Sequence, residues 1–247
     1  MRESSAPQSL SFGGHSSLRR IKIFLLVVVL VVVAVSVALL VYFFTREGNE
    51  DQTAKLVEVE IQAGIVQGRQ DGEALVFKGI PYAIPPVKEQ RWNPPIPCEK
   101  NTCWRGTFDA GKFGNICSQQ DLLMTTQNVE NVIGNEDCLF INVWSPKERP
   151  DGQLLPVLVF IHGGFLLYLS GNWQGLHPSP EMVVDMNIVG VSFNYRLNAF
   201  GFLALNSLAN ASSSNTSGNY GFMDQILALE WVQTNIEKFG GDPTSLP

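Results

Sequence analysis

The sequence predicts an α/β domain that follows one membrane-spanning helix. Two short and continuously apolar runs, residues 157–161 and 188–193, are typical of buried strands. Residues 221–239 then repeat apolar side chains at steps of three and four, as an amphipathic helix does. Residues 23–44 form a longer apolar run near the N-terminus. Buried strands followed by an amphipathic helix indicate a sheet covered by helices, which is a layered α/β architecture.

The apolar run at residues 23–44 contains no charge, no Gly and no Pro. At ~1.5 Å per residue a helix of this length spans roughly 33 Å, enough to cross a bilayer. Three basic residues precede the run and three acidic residues follow it: Arg19, Arg20 and Lys22, then Glu47, Glu50 and Asp51. The positive-inside rule therefore predicts a single-pass type II protein with a cytosolic N-terminus and an extracellular C-terminal domain.

A cleaved signal peptide is the alternative for this segment. Its apolar core would be ~7–15 residues long and would end at small residues. The run here is longer and ends in Tyr42, Phe43 and Phe44, which favours a retained signal-anchor. The predicted organisation is a disordered cytosolic tail at 1–22, the transmembrane helix at 23–44, a juxtamembrane linker at 45–55 and a domain at 56–247.

The four cysteines all follow the apolar run: Cys98, Cys103, Cys117 and Cys138. An even number in an oxidising compartment predicts two disulfides, and three pairings are open. No His stands at ligand spacing from a cysteine pair, so we expect no metal and no cofactor. A net charge of −6 gives no support for a nucleic-acid partner.

Two sequons stand in a Ser- and Asn-rich stretch, residues 208–217, which is predicted to be a loop. They begin at Asn210 and Asn215 and predict glycosylation in an extracellular domain. The expected partners are therefore the lipid bilayer and an extracellular protein.

The first strands of the domain follow from alternation and turn signals. Residues 56–60 alternate apolar and charged side chains, which predicts an edge strand. Residues 64–69 and 74–77 are separated by Asp71-Gly72, a hairpin signal. A proline-rich stretch from Pro81 to Pro97 predicts a long ordered loop.

The later elements follow from apolar runs. Residues 139–144 predict a strand ended by Ser145-Pro146, and residues 157–161 predict a strand buried on both faces. The helix at 221–239 should end at Gly240-Gly241. Six residues form its expected buried face: Phe222, Ile226, Leu229, Val232, Ile236 and Phe239.

Six sequence blocks identify a family resemblance. They are KGIPYAIPPV (78–87), EDCLFINVWSP (136–146), PVLVFIHGG (156–164), FNYRLNAFGFL (193–203), GNYGFMDQILALEWVQTNI (218–236) and FGGDP (239–243). In this order, from about Val57 to Pro247, they resemble type-B carboxylesterases and cholinesterases, an α/β-hydrolase family. The resemblance implies the N-terminal portion of that fold, with an incomplete central sheet. Some members, such as neurotactin and the neuroligins, are membrane-anchored adhesion proteins without esterase activity.

The resemblance also implies structural pairings. Cys117 and Cys138 match the family's first disulfide, which leaves Cys98 and Cys103 to close a small extra loop. Two ion pairs should be buried structural bridges and not catalytic groups: Arg91 with Glu136, and Arg196 with Asp224.

The segment His162–Phe165 matches the family's oxyanion loop, His-Gly-Gly-Gly-Phe. Gly163 and Gly164 are present, but Phe165 stands where the third glycine is usual, or one glycine is deleted. The donors would be the amides of Gly164 and Phe165. A Cβ makes a positive φ costly, and the ring would crowd a substrate carbonyl, so we expect a poor oxyanion hole.

The catalytic groups of an ester hydrolase are not found in the sequence. There is no Gly-x-Ser-x-Gly elbow, and the nearest approximation, residues 190–194, lies in a predicted buried strand. By the resemblance His162 orients the oxyanion loop, and His177 is expected to be solvated, so no general base is present. We expect no catalytic residue and no activity in this chain.

Three interpretations stay open at this point. The chain is a truncated product of a carboxylesterase gene whose longer product hydrolyses esters, or it is a non-catalytic adhesion or binding ectodomain. The third is a partial product that does not fold independently, because its sheet would expose an unpaired apolar edge.

Overall fold

The computed structural model describes residues 28, 31–37, 55–121 and 131–245 of the 247-residue chain. The predicted tail at 1–22, most of the predicted transmembrane segment at 23–44 and all but residue 55 of the predicted linker lie outside these residues. Residues 28 and 31–37 are helical. Within the described ranges, no helix is both long enough and apolar enough to cross a bilayer. The larger of the two compact units of the chain is Ala54–Pro247.

The domain contains nine strands and four α-helices in its described part. The strands are β1 Leu56–Ile61, β2 Gly64–Asp71, β3 Ala74–Pro81, β4 Thr107–Asp109, β5 Gln119–Gln120, β6 Val132–Ile133, β7 Phe140–Pro146, β8 Val157–Ile161 and β9 Val189–Phe193. The α-helices are α1 Pro180–Met186, α2 Asn198–Phe202, α3 Asn206–Ala211 and α4 Tyr220–Asn235. Short 3₁₀ turns cover Lys88–Gln90, Pro150–Gly152, Ile236–Phe239 and Pro243–Ser245.

The main sheet has the strand order β1-β2-β3-β7-β9-β8, and β4 lies parallel to β2. The pairs from β1 to β9 are antiparallel, whereas β8 and β9 are parallel. The predicted hairpin of β2 and β3 is confirmed, and both strands run further than expected. β7 continues to Pro146, which pairs with Ala74, so the predicted end at Trp144 is two residues early. The mixed sheet agrees with the predicted α/β class.

The sheet is covered on both faces, as a layered fold requires. Neighbouring residues of a strand point to opposite faces, and β3 shows both environments. Val76 packs with Trp144 and with Val183 of α1, whereas the Phe77 ring meets the Phe239 ring edge-on at 4.9 Å. α1 and α4 therefore lie on opposite sides of the sheet.

β8 has the predicted bounds but not the predicted burial. It pairs with β9 on one side, and within the described chain no strand pairs with its other side. Leu158 and Ile161 are 40% and 42% exposed, so the expectation of a strand buried on both faces is wrong. The residues after α4 return to the start of β8, where Leu155 and Gly241 form a parallel bridge. An apolar run indicates a buried strand, but it does not indicate which neighbours bury it.

Helix α4 begins at Tyr220 and passes into the 3₁₀ turn Ile236–Phe239, which Gly240 ends with φ 88°. Val232, Ile236 and Phe239 are buried as predicted, but Phe222, Ile226 and Leu229 are exposed. The helix turns Asp224, Ala228 and Trp231 inward in their place. The apolar residues form two stripes, and the pattern alone does not identify the stripe that faces the sheet.

Both disulfides form, Cys98 with Cys103 and Cys117 with Cys138. By loop-closure entropy, a loop of the size of the second one adds about 3 kcal/mol to the free energy of unfolding. The sequon residues Asn210 and Asn215 are both exposed. Part of the predicted loop at 208–217 is helical instead, because α3 extends to Ala211 and includes Asn210.

The two ion pairs expected from the resemblance differ in burial. Arg91 and Glu136 form a two-pronged pair whose side chains are 38% and 23% exposed, so it is only half-buried. Arg196 and Asp224 are 3% and 0% exposed and share two side-chain hydrogen bonds of 2.8 Å. Asp224 also accepts from the Arg196 backbone N–H, and Arg196 donates to the Asn93 carbonyl. Burial raises the pKa of Asp224, and its bonds to Arg196 oppose that increase.

Replacing Asp224 by Asn should lower the free energy of unfolding by about 3–5 kcal/mol, because it leaves the Arg196 guanidinium buried without its counter-charge. Urea unfolding of the 247-residue chain, followed by tryptophan fluorescence, measures the change. The control is Lys147→Ala, which breaks an exposed pair with Glu73 at 3.8 Å and should cost less than about 1 kcal/mol. Equal losses in the two variants would contradict the structural role of the buried pair.

Candidate active site

The candidate site lies where the two parallel strands end. Ile161 and Phe193 are paired in register, so the residues that follow β8 and β9 leave the sheet side by side. Ligands of open α/β sheets bind at this carboxyl edge. The two segments are residues 162–171, called the donor loop below, and residues 194–198, called the clamp segment.

The donor loop begins with a left-handed turn. Gly164, Phe165 and Leu166 have φ of 97°, 55° and 65°. The N–H groups of Leu167 and Tyr168 both donate to the Gly164 carbonyl, at 2.9 and 3.2 Å. A Cβ on Gly164 would lie 2.0 Å from the Tyr168 carbonyl oxygen, so the turn requires glycine there.

The turn leaves three N–H groups available. Among the described residues, the amides of Gly164, Phe165 and Leu166 have no acceptor. Successive backbone N–H groups in a turn can form a concave site that binds an anionic oxygen. Gly164 and Phe165 are the donors expected from the sequence. The amide of Leu166 is a third donor that the sequence analysis did not predict, because nothing in the sequence indicates that this leucine has a positive φ.

Phe165 has a left-handed backbone conformation although it carries a Cβ. A left-handed conformation costs a residue with a Cβ about 1–2 kcal/mol, so the turn is strained here. Phe165 is 84% exposed, and its ring centre lies 6.2 Å from that of Tyr168.

His162 supports the loop from beneath and is not exposed as a base. Its ring is buried and stacks on Tyr195 at 4.3 Å, and Nδ1 lies 3.0 Å from the Gly163 carbonyl oxygen. Burial lowers the pKa of His162 to about 4, so the imidazole is neutral at pH 7. Gly163 itself has open space around its Cα.

The clamp segment holds the donor loop at three points. The Tyr195 hydroxyl donates to the His162 carbonyl at 2.8 Å, and the Asn198 N–H donates to the Leu166 carbonyl at 2.7 Å. The side-chain oxygen of Asn194 accepts from the Gly171 N–H at 2.8 Å. These contacts at the start, middle and end explain how the turn persists although Phe165 and Leu166 carry a Cβ.

Two other residues considered in the sequence analysis, Ser192 and His177, make contacts within the fold and are not exposed. Ser192 is fully buried, and its hydroxyl donates to the Gly171 carbonyl at 2.7 Å, so it is not placed as a nucleophile. His177 stacks on Trp144 at 5.1 Å and is half-buried, so the expectation that it is solvated is wrong. The described ranges contain no cluster of His, Cys, Asp and Glu that could hold a metal ion.

A family model described as "Carboxylesterase family" matches residues 55–246. The chain belongs to the carboxylesterase family. Its relatives include the para-nitrobenzyl esterase of Bacillus subtilis (strain 168), 39% identical over 76% of this chain and 36% of the relative. The fumonisin B1 esterase of Sphingopyxis macrogoltabida is 38% identical over 74% of this chain and 32% of the relative. The chain thus spans about a third of the length of these curated relatives.

Solved structures agree with the family assignment. A PNB esterase structure is 38% identical, covers 75% of this chain and 36% of its own, and has a TM-score of 0.65. The carboxylesterase EST55 of Geobacillus stearothermophilus covers the same shares at a TM-score of 0.60. The resemblance to carboxylesterases found in the sequence blocks is therefore confirmed, and an esterase-like α/β fold with it.

Replacing Phe165 by Gly should raise the free energy of unfolding by about 0.5–1 kcal/mol. The change removes the strain of φ 55°, which outweighs the backbone entropy that glycine loses on folding. Leu167→Gly is the matched control, since Leu167 is also an exposed loop residue but is not among the residues with positive φ. It should lower the free energy of unfolding, and a decrease in both variants would contradict strain at Phe165. Urea unfolding measures both.

Proposed function

We propose that this chain supplies the oxyanion-stabilising part of a carboxylic ester hydrolase. The supporting observation is the set of free N–H groups on Gly164, Phe165 and Leu166 at the carboxyl end of β8, in a member of the carboxylesterase family. The names of the relatives, which are esterases, favour carboxylic esters as the substrate class.

Ester hydrolysis places negative charge on the carbonyl oxygen of the tetrahedral intermediate. Donors that already point at this oxygen stabilise it, and each is worth ~10²–10³ in rate. The amides of Gly164 and Phe165 would perform this step. Phe165 keeps its N–H but adds a Cβ and a ring, so we propose a weaker hole than one built from three glycines.

The nucleophile and the base must come from elsewhere. The 247 residues contain no Gly-x-Ser-x-Gly, the buried Ser192 is bonded to Gly171, and His162 is neutral and enclosed. An oxyanion hole without a nucleophile forms no acyl-enzyme. We propose that the chain alone does not hydrolyse esters and that a product of the same gene with an elbow serine does.

A fluorophosphonate probe tests the first half of this proposal. The 247-residue chain should show no covalent labelling, whereas the Bacillus subtilis para-nitrobenzyl esterase should be labelled under the same conditions. Labelling of the chain would show a reactive nucleophile and would contradict the proposal. Longer transcripts test the second half, since one that continues past Pro247 without a Gly-x-Ser-x-Gly would contradict a hydrolase.

We further propose that the domain is extracellular on a type II anchor at residues 23–44. The uncharged run with basic residues before it, the two disulfides and the exposed Asn210 and Asn215 support this orientation. Expression in secretory cells followed by peptide N-glycosidase should shift the chain to lower apparent mass. Asn210→Gln and Asn215→Gln should each remove one step of the shift. An unshifted chain would contradict the extracellular placement.

A further inference from the structure

Gln119 connects the disulfide segment to the donor loop. It lies two residues after Cys117, in β5, and the residue is 3% exposed. Its side-chain oxygen accepts from the Leu169 N–H at 2.7 Å, and its side-chain nitrogen donates to the Leu169 carbonyl at 3.0 Å. The same nitrogen donates to the Cys117 carbonyl at 2.9 Å, which fixes the orientation of the amide. One side chain thus pairs with both backbone groups of a single loop residue.

Leu169 needs such a partner, because it has a φ of 77° and a Cβ. A residue in this conformation persists only where its surroundings hold it there. The clamp segment binds the loop at His162, Leu166 and Gly171, so it makes no contact of this kind at Leu169. Gln119 supplies the missing fixed point.

The conformation of Leu169 affects the amides of Gly164 and Phe165 through Tyr168. Tyr168 precedes it, and the Tyr168 carbonyl oxygen would lie 2.0 Å from a Cβ on Gly164, so its backbone packs against the Gly164 Cα. The Tyr168 N–H donates to the Gly164 carbonyl. Rotation at Leu169 would move the Tyr168 carbonyl and open the turn that presents the amides of Gly164 and Phe165.

We propose that Gln119 is a positioning residue: from the segment that follows the Cys117–Cys138 disulfide, it holds the turn of the donor loop in place. The role as a donor turn rests on the proposed function. The link from Gln119 to the turn is a property of this chain whether or not it takes part in hydrolysis.

Hydrogen exchange of the full 247-residue chain tests the proposal. Gln119→Met keeps the length of the side chain and removes both bonds to Leu169. It should raise the exchange rates of the Leu167 and Tyr168 amides at least 10-fold and leave those of β7 and β9 unchanged. Gln119→Asn keeps the amide on a side chain one methylene shorter and should give a smaller increase. Gln120→Leu changes the exposed neighbour and should have no effect on the turn.

Two results would overturn the proposal. Unchanged rates at Leu167 and Tyr168 in Gln119→Met would show that the turn does not depend on Gln119. A parallel increase in β7 and β9 in both Gln119 variants would show a role in global stability only. Neither result depends on ester hydrolysis, so this proposal and the proposed function can fail separately.

Discussion

The buried ion pair of Arg196 and Asp224 connects the end of β9 to α4, and the rest of the domain packs around this connection. Arg196 lies just past the end of β9 and Asp224 in the first turns of α4, and the guanidinium also reaches the carbonyl of Asn93 in the proline-rich loop. Such a pair costs desolvation energy on both sides, which hydrogen bonds on every face must offset. Because Arg196 is the centre of the clamp segment, its fixed backbone also orients Asn194, Tyr195 and Asn198 towards the donor loop.

Two parts of the chain hold the donor loop in position at the candidate site. The clamp segment binds the start, middle and end of the donor loop, and Gln119, two residues after Cys117, binds Leu169. The loop's own residues contribute a local preference at Gly164 and oppose the turn at Phe165 and Leu166. The left-handed turn is therefore a product of tertiary contacts far more than of local propensity.

The fold could be predicted where a local pattern decides it. Alternation predicted β1, the turn residues Asp71-Gly72 predicted the hairpin of β2 and β3, and Gly240 predicted the end of the helical segment. Burial could not be predicted in the same way, because it depends on neighbours. Residues 157–161 have the composition of a central strand but lie at an edge of the sheet formed by the described residues, and α4 has two apolar stripes of which one faces the sheet.

The same limit applies to the site. The sequence motif placed two of the three free amides, on Gly164 and Phe165, because a motif records backbone positions. It did not indicate Leu166, nor that the half-buried Arg91–Glu136 pair differs from the buried Arg196–Asp224 pair. Gln119 was also missed, since a glutamine in a cysteine-flanked segment has no local feature that marks a bond to Leu169, fifty residues later.

The turn at Phe165 has a consequence for how such chains diverge. Because contacts from distant segments enforce the conformation, selection on this position can relax before the geometry is lost. A glycine can then drift to a bulky residue at a modest cost in stability, while the amides keep their places. A signature that demands three consecutive glycines would therefore overlook chains that still retain the loop, and substitutions in the clamp segment would mark its loss more faithfully.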